Sequence, residues 1–172
     1  MTDILPPCWA PLFRDPYTFD GLRWGISLNR MRKNVTRADY LVPPGTSRGF
    51  PAPGATGERR LAFSRCMDGY ILAGVGTFTP DRLTDVGIQI TCQSEGAVDL
   101  EVLYTAIGRI LLNVRGAAAI DGEDETSPGV FAAQWPSDPR GELAMMLHQS
   151  RGKIHLLYAE APAVAREVAW YD

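Results

Sequence analysis

Long apolar runs are missing from this chain of 172 residues. No apolar stretch approaches the roughly 18 residues that a membrane-spanning helix needs, so we expect no transmembrane segment. The first seven residues lack the basic start and the long apolar stretch of a signal peptide, so secretion by that route is not expected. These absences predict a cytoplasmic or virion location.

Cysteine is scarce, and its spacing is irregular. Cys8, Cys66 and Cys92 form no C-x-x-C pair, and an odd number of cysteines does not suit a disulfide framework. A zinc site would need ligands in closer pairs. We therefore expect reduced cysteines that act as small apolar residues, with no metal and no other cofactor.

Motifs that fix a reaction are also missing. The chain has no P-loop sequence, and it has no G-x-S-x-G turn to carry a nucleophilic serine. Gly74 and Gly76 form a G-x-G pair without the third glycine and the following helix of a dinucleotide-binding fingerprint. This pair instead predicts a bulge, or a close approach of another group to a strand backbone.

The remaining candidates for chemistry are few and have ordinary structural explanations. His148 and His155 are the only histidines, and pairing His155 with Cys66 or Cys92 would need the fold to bring them together. The acidic residues 121–125 lack the spacing of a known calcium-binding loop, and a solvated turn explains them better. The expectation is a protein that is not an enzyme.

The net charge of −3 is unevenly distributed along the chain. Residues 1–65 hold ten basic and five acidic side chains, whereas residues 66–172 hold seven basic and fifteen acidic ones. This asymmetry predicts charge complementarity with other protein chains, unless the two halves fold over each other and cancel it. Because the chain is acidic overall and has no nucleic-acid-binding motif, a nucleic-acid partner is not expected.

Proline and aromatic residues are concentrated at the start of the chain. Residues 1–20 contain four prolines with four aromatic side chains between them, a pattern that excludes a long helix or an inner strand. We interpret this segment as an extended arm that lies on its own domain or on a neighbour, with a single α+β domain over residues 21–172. Residues 43–57 contain four prolines and four glycines, which predicts a long loop.

Period-two alternation of apolar residues predicts most of the strands. Asp68-Gly69 is a strong hairpin signal between two of them, which indicates an antiparallel meander. The predicted strands are Leu22–Leu28, Arg60–Met67, Tyr70–Thr79, Val86–Cys92, Val130–Trp135, Ile154–Ala159 and Val164–Tyr171.

Two segments show helical spacing. Ala97–Val114 carries an apolar stripe so wide that we expect burial on more than one side, by another element or by another subunit. A second helix is predicted to begin at Asp138-Pro139 and to end at Arg151-Gly152. The fold class is therefore α+β, a mainly antiparallel sheet with two helices.

These patterns favour a structural or interaction subunit of a larger protein assembly, of the kind found in phage or virion heads, necks and tails. Such a subunit would dock on copies of itself and on other neighbours through its arm and its loop. Aromatic residues bring contact area to an interface, and a basic cluster can attract an acidic partner. The predicted interface residues are Trp9, Phe13, Tyr17, Phe19, Arg30, Arg32, Lys33 and Arg37.

Two other functions fit the same observations. One is a monomeric cytosolic inhibitor or immunity-type protein that covers the site of another protein. The other is a small α+β enzyme whose site carries no recognisable motif. The basic cluster Arg30–Arg37 also has a simpler interpretation, as a solvated loop that binds no partner.

Overall fold

The computed structural model describes residues 8–44, 59–93, 100–136 and 141–160. One antiparallel sheet of seven strands carries the helices, which confirms the α+β class. The strands are β1 Arg59–Met67, β2 Tyr70–Phe78, β3 Leu83–Cys92, β4 Ile120–Glu123, β5 Val130–Trp135, β6 Glu142–His148 and β7 Lys153–Ala159. The helices are α1 Ala10–Phe13, α2 Leu28–Arg37 and α3 Leu100–Arg115, with a 3₁₀ turn at Phe19–Gly21.

The strand order is β1-β2-β3-β7-β6-β5-β4, so the sheet consists of two meanders that meet where β3 pairs with β7. The predicted hairpin between β1 and β2 is confirmed. Asp68 and Gly69 have φ angles of 48° and 82°, and two consecutive positive values match the twist of the flanking strands. The prediction of a β-meander is therefore confirmed for β1, β2 and β3.

All the helices pack on one face of the sheet. Leu103, Ile107 and Leu111 of α3 are buried in the same core as the inward residues of every strand from β1 to β3 and from β5 to β7. None of the helices in the described part of the chain is long and apolar enough to span a membrane. The outer side of α3 is exposed in this chain, with 36% exposure at Val102 and 51% at Leu112. No described element of the chain packs on this outer side of α3, although the sequence predicted burial of the helix on more than one side.

Two glycines let the covered face pack closely. A Cβ atom at Gly74 would lie 2.2 Å from the ring of Phe63, and one at Gly76 would lie 2.6 Å from the sulfur of Met31 on α2. The predicted close approach is confirmed at both positions. The strand irregularity lies elsewhere, between Thr77 and Phe78.

The predicted second helix is wrong for residues 142–148, which form strand β6. Leu143, Met146 and Leu147 have helical spacing, but Ala144 and Met145 between them are apolar as well. A central strand with apolar residues on both faces satisfies the same sequence, and spacing alone does not separate the two structures. The predicted start of this helix at residues 138–139 lies outside the described residues.

The predicted strand Leu22–Leu28 is also wrong. Burial alternates along this segment, but the chain turns at Trp24-Gly25, and Leu28 is already the first residue of α2. The hydroxyl oxygen of Ser27 accepts a hydrogen bond from the Arg30 backbone N–H, which caps the helix. The basic cluster Arg30–Arg37 therefore lies on a helix and not in a loop.

The arm packs largely on its own domain. Trp9 contacts Tyr70 edge to face at 5.6 Å between ring centroids, and Phe13 contacts Phe19 at 5.8 Å. All of these rings are buried in the core of the chain, and Phe19 lies 6.5 Å from the ring of Tyr158 on β7. Parts of other predictions, namely residues 1–7, 45–57, 97–99 and 164–171, fall outside the described residues.

Candidate functional site: the open face of the sheet

The seven strands have a second face, on the side away from the helices, which we call the open face. Its side chains alternate along each strand with those of the core. No described helix packs on it. Four cross-strand rows of residues make up its centre, and each row is fixed by the pairing register.

The two middle rows are mostly uncharged. The first, which we call the small-residue row, contains Val75, Gly87, Leu157 and Ala144. Gly87 leaves open space, because a Cβ atom built there would have nothing within 4 Å. Val75 and Leu157 in the same row carry larger side chains.

The neighbouring middle row, which we call the large-residue row, contains Ala73, Gln89, His155 and Met146. The side chains of Gln89, His155 and Met146 are long or bulky. Each lies two residues along its strand from a member of the small-residue row. All four are partly exposed.

Charge is confined to the two outer rows. The basic end row contains Thr91, Lys153 and His148 and borders the large-residue row. The acidic end row contains Thr77, Asp85, Ala159 and Glu142, borders the small-residue row, and continues on β1 to the basic Arg60. Asp85 is nearly covered, and its carboxylate accepts a hydrogen bond from the Thr84 hydroxyl at 2.8 Å. Glu142 is exposed.

Two imidazoles meet on the open face. The rings of His148 and His155 are 5.5 Å apart and nearly perpendicular. The pKa of His155 is lowered to about 4, mainly by burial and in part by the positive charges of His148, Lys153 and Arg151. Burial also lowers the pKa of His148, with a contribution from Arg151 and Lys153. Burial and mutual repulsion thus favour the neutral form of both rings near pH 7.

The residues predicted to form an interface lie in two different parts of the chain, the N-terminal arm and helix α2. Trp9, Phe13 and Phe19 are fully buried within the chain, so they offer no side-chain surface to a partner. Tyr17 is 43% exposed. The basic side chains of α2 point away from the core, with Arg32 only partly exposed and Arg30, Lys33 and Arg37 exposed.

A second polar cluster ties the arm to the sheet. The Tyr40 hydroxyl donates a hydrogen bond to the Asp20 carboxylate at 2.9 Å, and the Arg65 guanidinium lies 5.7 Å from the centre of the Tyr40 ring. Burial raises the pKa of Asp20, although the hydrogen bond from Tyr40 opposes this shift. Arg65 also donates to the carbonyl of Ala38. These contacts fix the 3₁₀ turn against the segment that follows α2.

Cys8 lies at the edge of that cluster but is a weak candidate for a nucleophile. Its thiol donates to the Asp68 carboxylate at 2.7 Å, and the indole N–H of Trp9 donates to the same oxygen at 3.0 Å. Burial raises the pKa of Cys8, and the hydrogen bond to Asp68 adds to the shift. A reactive cysteine needs the opposite environment, because the thiolate is the nucleophile.

The structure does not bring together the Cys–His pairs weighed from the sequence. Cys92 follows Thr91 on β3 and so faces away from the side that carries His155. Cys66 lies on β1, which is three strands away from β7 in the sheet order. Among the residues that the structure describes, no three His, Cys, Asp or Glu side chains are close enough to hold a metal ion.

Comparisons with protein-family models, with curated proteins and with solved structures find no match to this chain. The sequence analysis did not identify the open face. A signal for it exists in β2 and β3, where Ala73, Val75 and Gly87 occupy positions that a solvated strand face normally gives to polar residues.

Proposed function

We propose that this chain is an interaction subunit of a larger protein assembly, without catalytic activity of its own, and that it docks through the open face. The observation that carries this proposal is the pair of middle rows, which place small and apolar groups at the centre of a sheet face on which no described helix packs. Apolar patches that the chain itself does not cover are typical of interaction sites.

The dimensions of the open face suit a protein partner. Six strand spacings of about 4.8 Å give a width of about 29 Å, and seven residues along a strand give about 23 Å. The product, about 650 Å², approaches the roughly 800 Å² that each partner contributes to a standard interface.

The proposal changes the docking surface that the sequence suggested. Burial of Trp9, Phe13 and Phe19 removes the main aromatic groups of the arm from any interface. The exposed basic side of α2 remains available to attract an acidic protein, as proposed for Arg30, Arg32, Lys33 and Arg37. A phage or virion particle remains the type of assembly that we propose from the sequence.

The test is the mass of the full chain in an extract of the cells that encode it. We expect the wild-type chain to elute well above the 18.9 kDa of one copy. Ala73→Arg places a cation in the large-residue row and should shift the chain to the mass of a single copy, because the charge would lose its water at the interface.

The matched control is Asn113→Arg, which adds the same charge to an exposed position on α3 and should leave the mass unchanged. Far-ultraviolet circular dichroism of both variants shows whether they are folded. The proposal fails if wild type elutes as a single copy, or if folded Ala73→Arg elutes with wild type.

A further inference from the structure

We infer that the exposed basic side of α2 on one copy of this chain binds the acidic β4–β5 hairpin of a second copy. The basic stripe consists of Arg30, Lys33 and Arg37, and the acidic hairpin carries Asp121, Glu123, Asp124 and Glu125. The inference rests on the proposed role as an interaction subunit, and it names the acidic protein that α2 attracts. The surfaces involved are separate from the open face.

The basic stripe is continuous along the helix. Arg30, Lys33 and Arg37 are spaced by three and by four residues, so they lie on one side of α2. All three are exposed, and none of them forms an ion pair with another described residue. Seven residues of helix at 1.5 Å each give the stripe a length of about 10 Å. The helix contains no acidic residue, and Asp39 lies in the turn that follows it.

The acidic hairpin has no positive charge of its own, because residues 116–136 contain no lysine or arginine. Glu123 and Asp124 each accept a hydrogen bond at 2.8 Å from a backbone N–H of the turn, which fixes its shape. Asp121 and Glu125 are exposed, and neither forms an ion pair within the described part of the chain. An ordered turn thus presents carboxylates that have no counter-charge.

The two surfaces cannot neutralise each other within one chain. Helix α2 packs on the first two strands, where the Met31 sulfur occupies the space beside Gly76 of β2, whereas β4 is the opposite edge of the sheet. Five strand spacings of about 4.8 Å separate β2 from β4 by about 24 Å. That distance is more than twice the Debye length of about 8 Å at physiological salt. Arg151 in the β6–β7 turn reduces the negative charge near that edge but does not cancel four carboxylates.

A second copy supplies what each surface lacks. Asp121 and Glu125 are at most about 13 Å apart along the chain, which is comparable to the length of the basic stripe. A nucleic acid fits less well, because the chain has a net charge of −3 and its acidic hairpin would repel phosphates. Exposed ion pairs are individually weak and are screened by salt. We therefore expect the contact in concentrated protein and its loss at the dilution of a cell extract.

Sedimentation equilibrium of the purified full chain at high micromolar concentration measures the contact. Wild type should exceed the mass of one copy in about 0.1 M salt. It should fall to that mass in about 1 M salt, because the Debye length shortens from about 10 Å to about 3 Å. Arg37→Glu should raise the dissociation constant at least threefold. Arg14→Glu is the matched control, since it makes the same change of charge at an exposed position next to α1 and should have no effect.

Two neutralised variants test whether two different surfaces meet. One carries Arg30→Gln, Lys33→Gln and Arg37→Gln, and the other carries Asp121→Asn and Glu125→Gln. Each variant alone should have a dissociation constant at least tenfold above that of wild type. An equimolar mixture should form heterodimers, because the intact hairpin of the first variant binds the intact helix of the second. A tag on one variant identifies heterodimers by co-purification, and thermal unfolding checks that every variant is folded.

Three results would overturn this inference. The first is a wild-type chain that sediments at the mass of one copy in about 0.1 M salt. The second is a mixture of folded neutralised variants that stays monomeric. The third is a loss of the association in purified Ala73→Arg, which would assign it to the open face. The proposed function is tested separately, because docking through the open face stands whenever Ala73→Arg lowers the mass in the cell extract.

Discussion

The covered face and the open face are built from the same seven strands, yet their side chains differ in size and in the placement of charge. The covered face holds large groups such as Phe63, Leu72 and Tyr158, all buried against helices. The open face has alanine, glycine and mid-sized groups at its centre, with ionic groups at the ends of the strands. A sheet with one solvated face normally alternates apolar with polar residues. This sheet departs from that pattern at the centre, where water is most easily excluded.

The glycines show the difference most directly. Gly74 on the covered face is required because the Phe63 ring occupies the space of its side chain. Gly87 on the open face has no such neighbour. The first glycine is explained by packing within the chain. Packing within the chain does not explain Gly87. In our proposal, a group from another chain occupies the space above it.

The largest expected effect concerns the covered face. Ile107→Ala should lower the free energy of unfolding by about 2–5 kcal/mol, because Ile107 is fully buried and its truncation leaves a cavity. Leu157→Ala on the open face should cost less than half as much in dilute protein, where Leu157 is partly exposed. Urea denaturation measures both values. Equal costs for the two variants would show that the open face is covered within the single chain.

A second pair of substitutions tests the glycines. Gly74→Ala should lower the free energy of unfolding by about 1–3 kcal/mol, since the new methyl group would overlap the Phe63 ring. Gly87→Ala should be neutral or should raise it by up to about 1 kcal/mol in dilute protein, because it reduces the entropy of the unfolded chain. The expectation is contradicted if the two variants unfold at the same urea concentration.

The last expected effect is a pH dependence from His155. Its pKa is about 4 in the folded chain against an ordinary value of 6.5, so the folded state disfavours the proton. The contribution of neutral His155 to the free energy of unfolding should therefore be complete above pH 6.5. It should be lost as the pH falls from 6.5 towards 4, because only the unfolded chain takes up the proton in this range. His155→Gln should flatten this part of the stability profile. Urea midpoints at pH 7 and pH 5 measure the change, and an unaltered slope in the variant would assign the effect to other groups.

Local signals in the sequence predicted the covered face well. The alternation in β1 to β3, the Asp68-Gly69 turn and the stripe on α3 are each contained in one short segment. The main errors, at residues 22–28 and 142–148, occurred where two structures satisfy one pattern. Ser27 is a helix-capping residue and would have corrected the first of them.

The open face was not predictable in the same way. Its rows depend on β3 pairing with β7, and these strands are far apart in the chain. In the sequence, a histidine close to a leucine on β7 gives no sign of a surface site. His155 becomes part of one only when Gln89 and Met146 are known to flank it on the neighbouring strands. The composition of the rows is a property of the sheet order, which a single sequence does not reveal.

The pairing of β3 with β7 has a further consequence, for the order of folding. Each meander is built from neighbouring strands and short turns, so its contacts form between residues that are close in sequence. The junction instead joins two strands separated in the chain by α3 and by strands β4 to β6, and closing that loop costs entropy before any contact is gained. The two halves therefore gain structure first, and the junction between them determines how fast the sheet is completed.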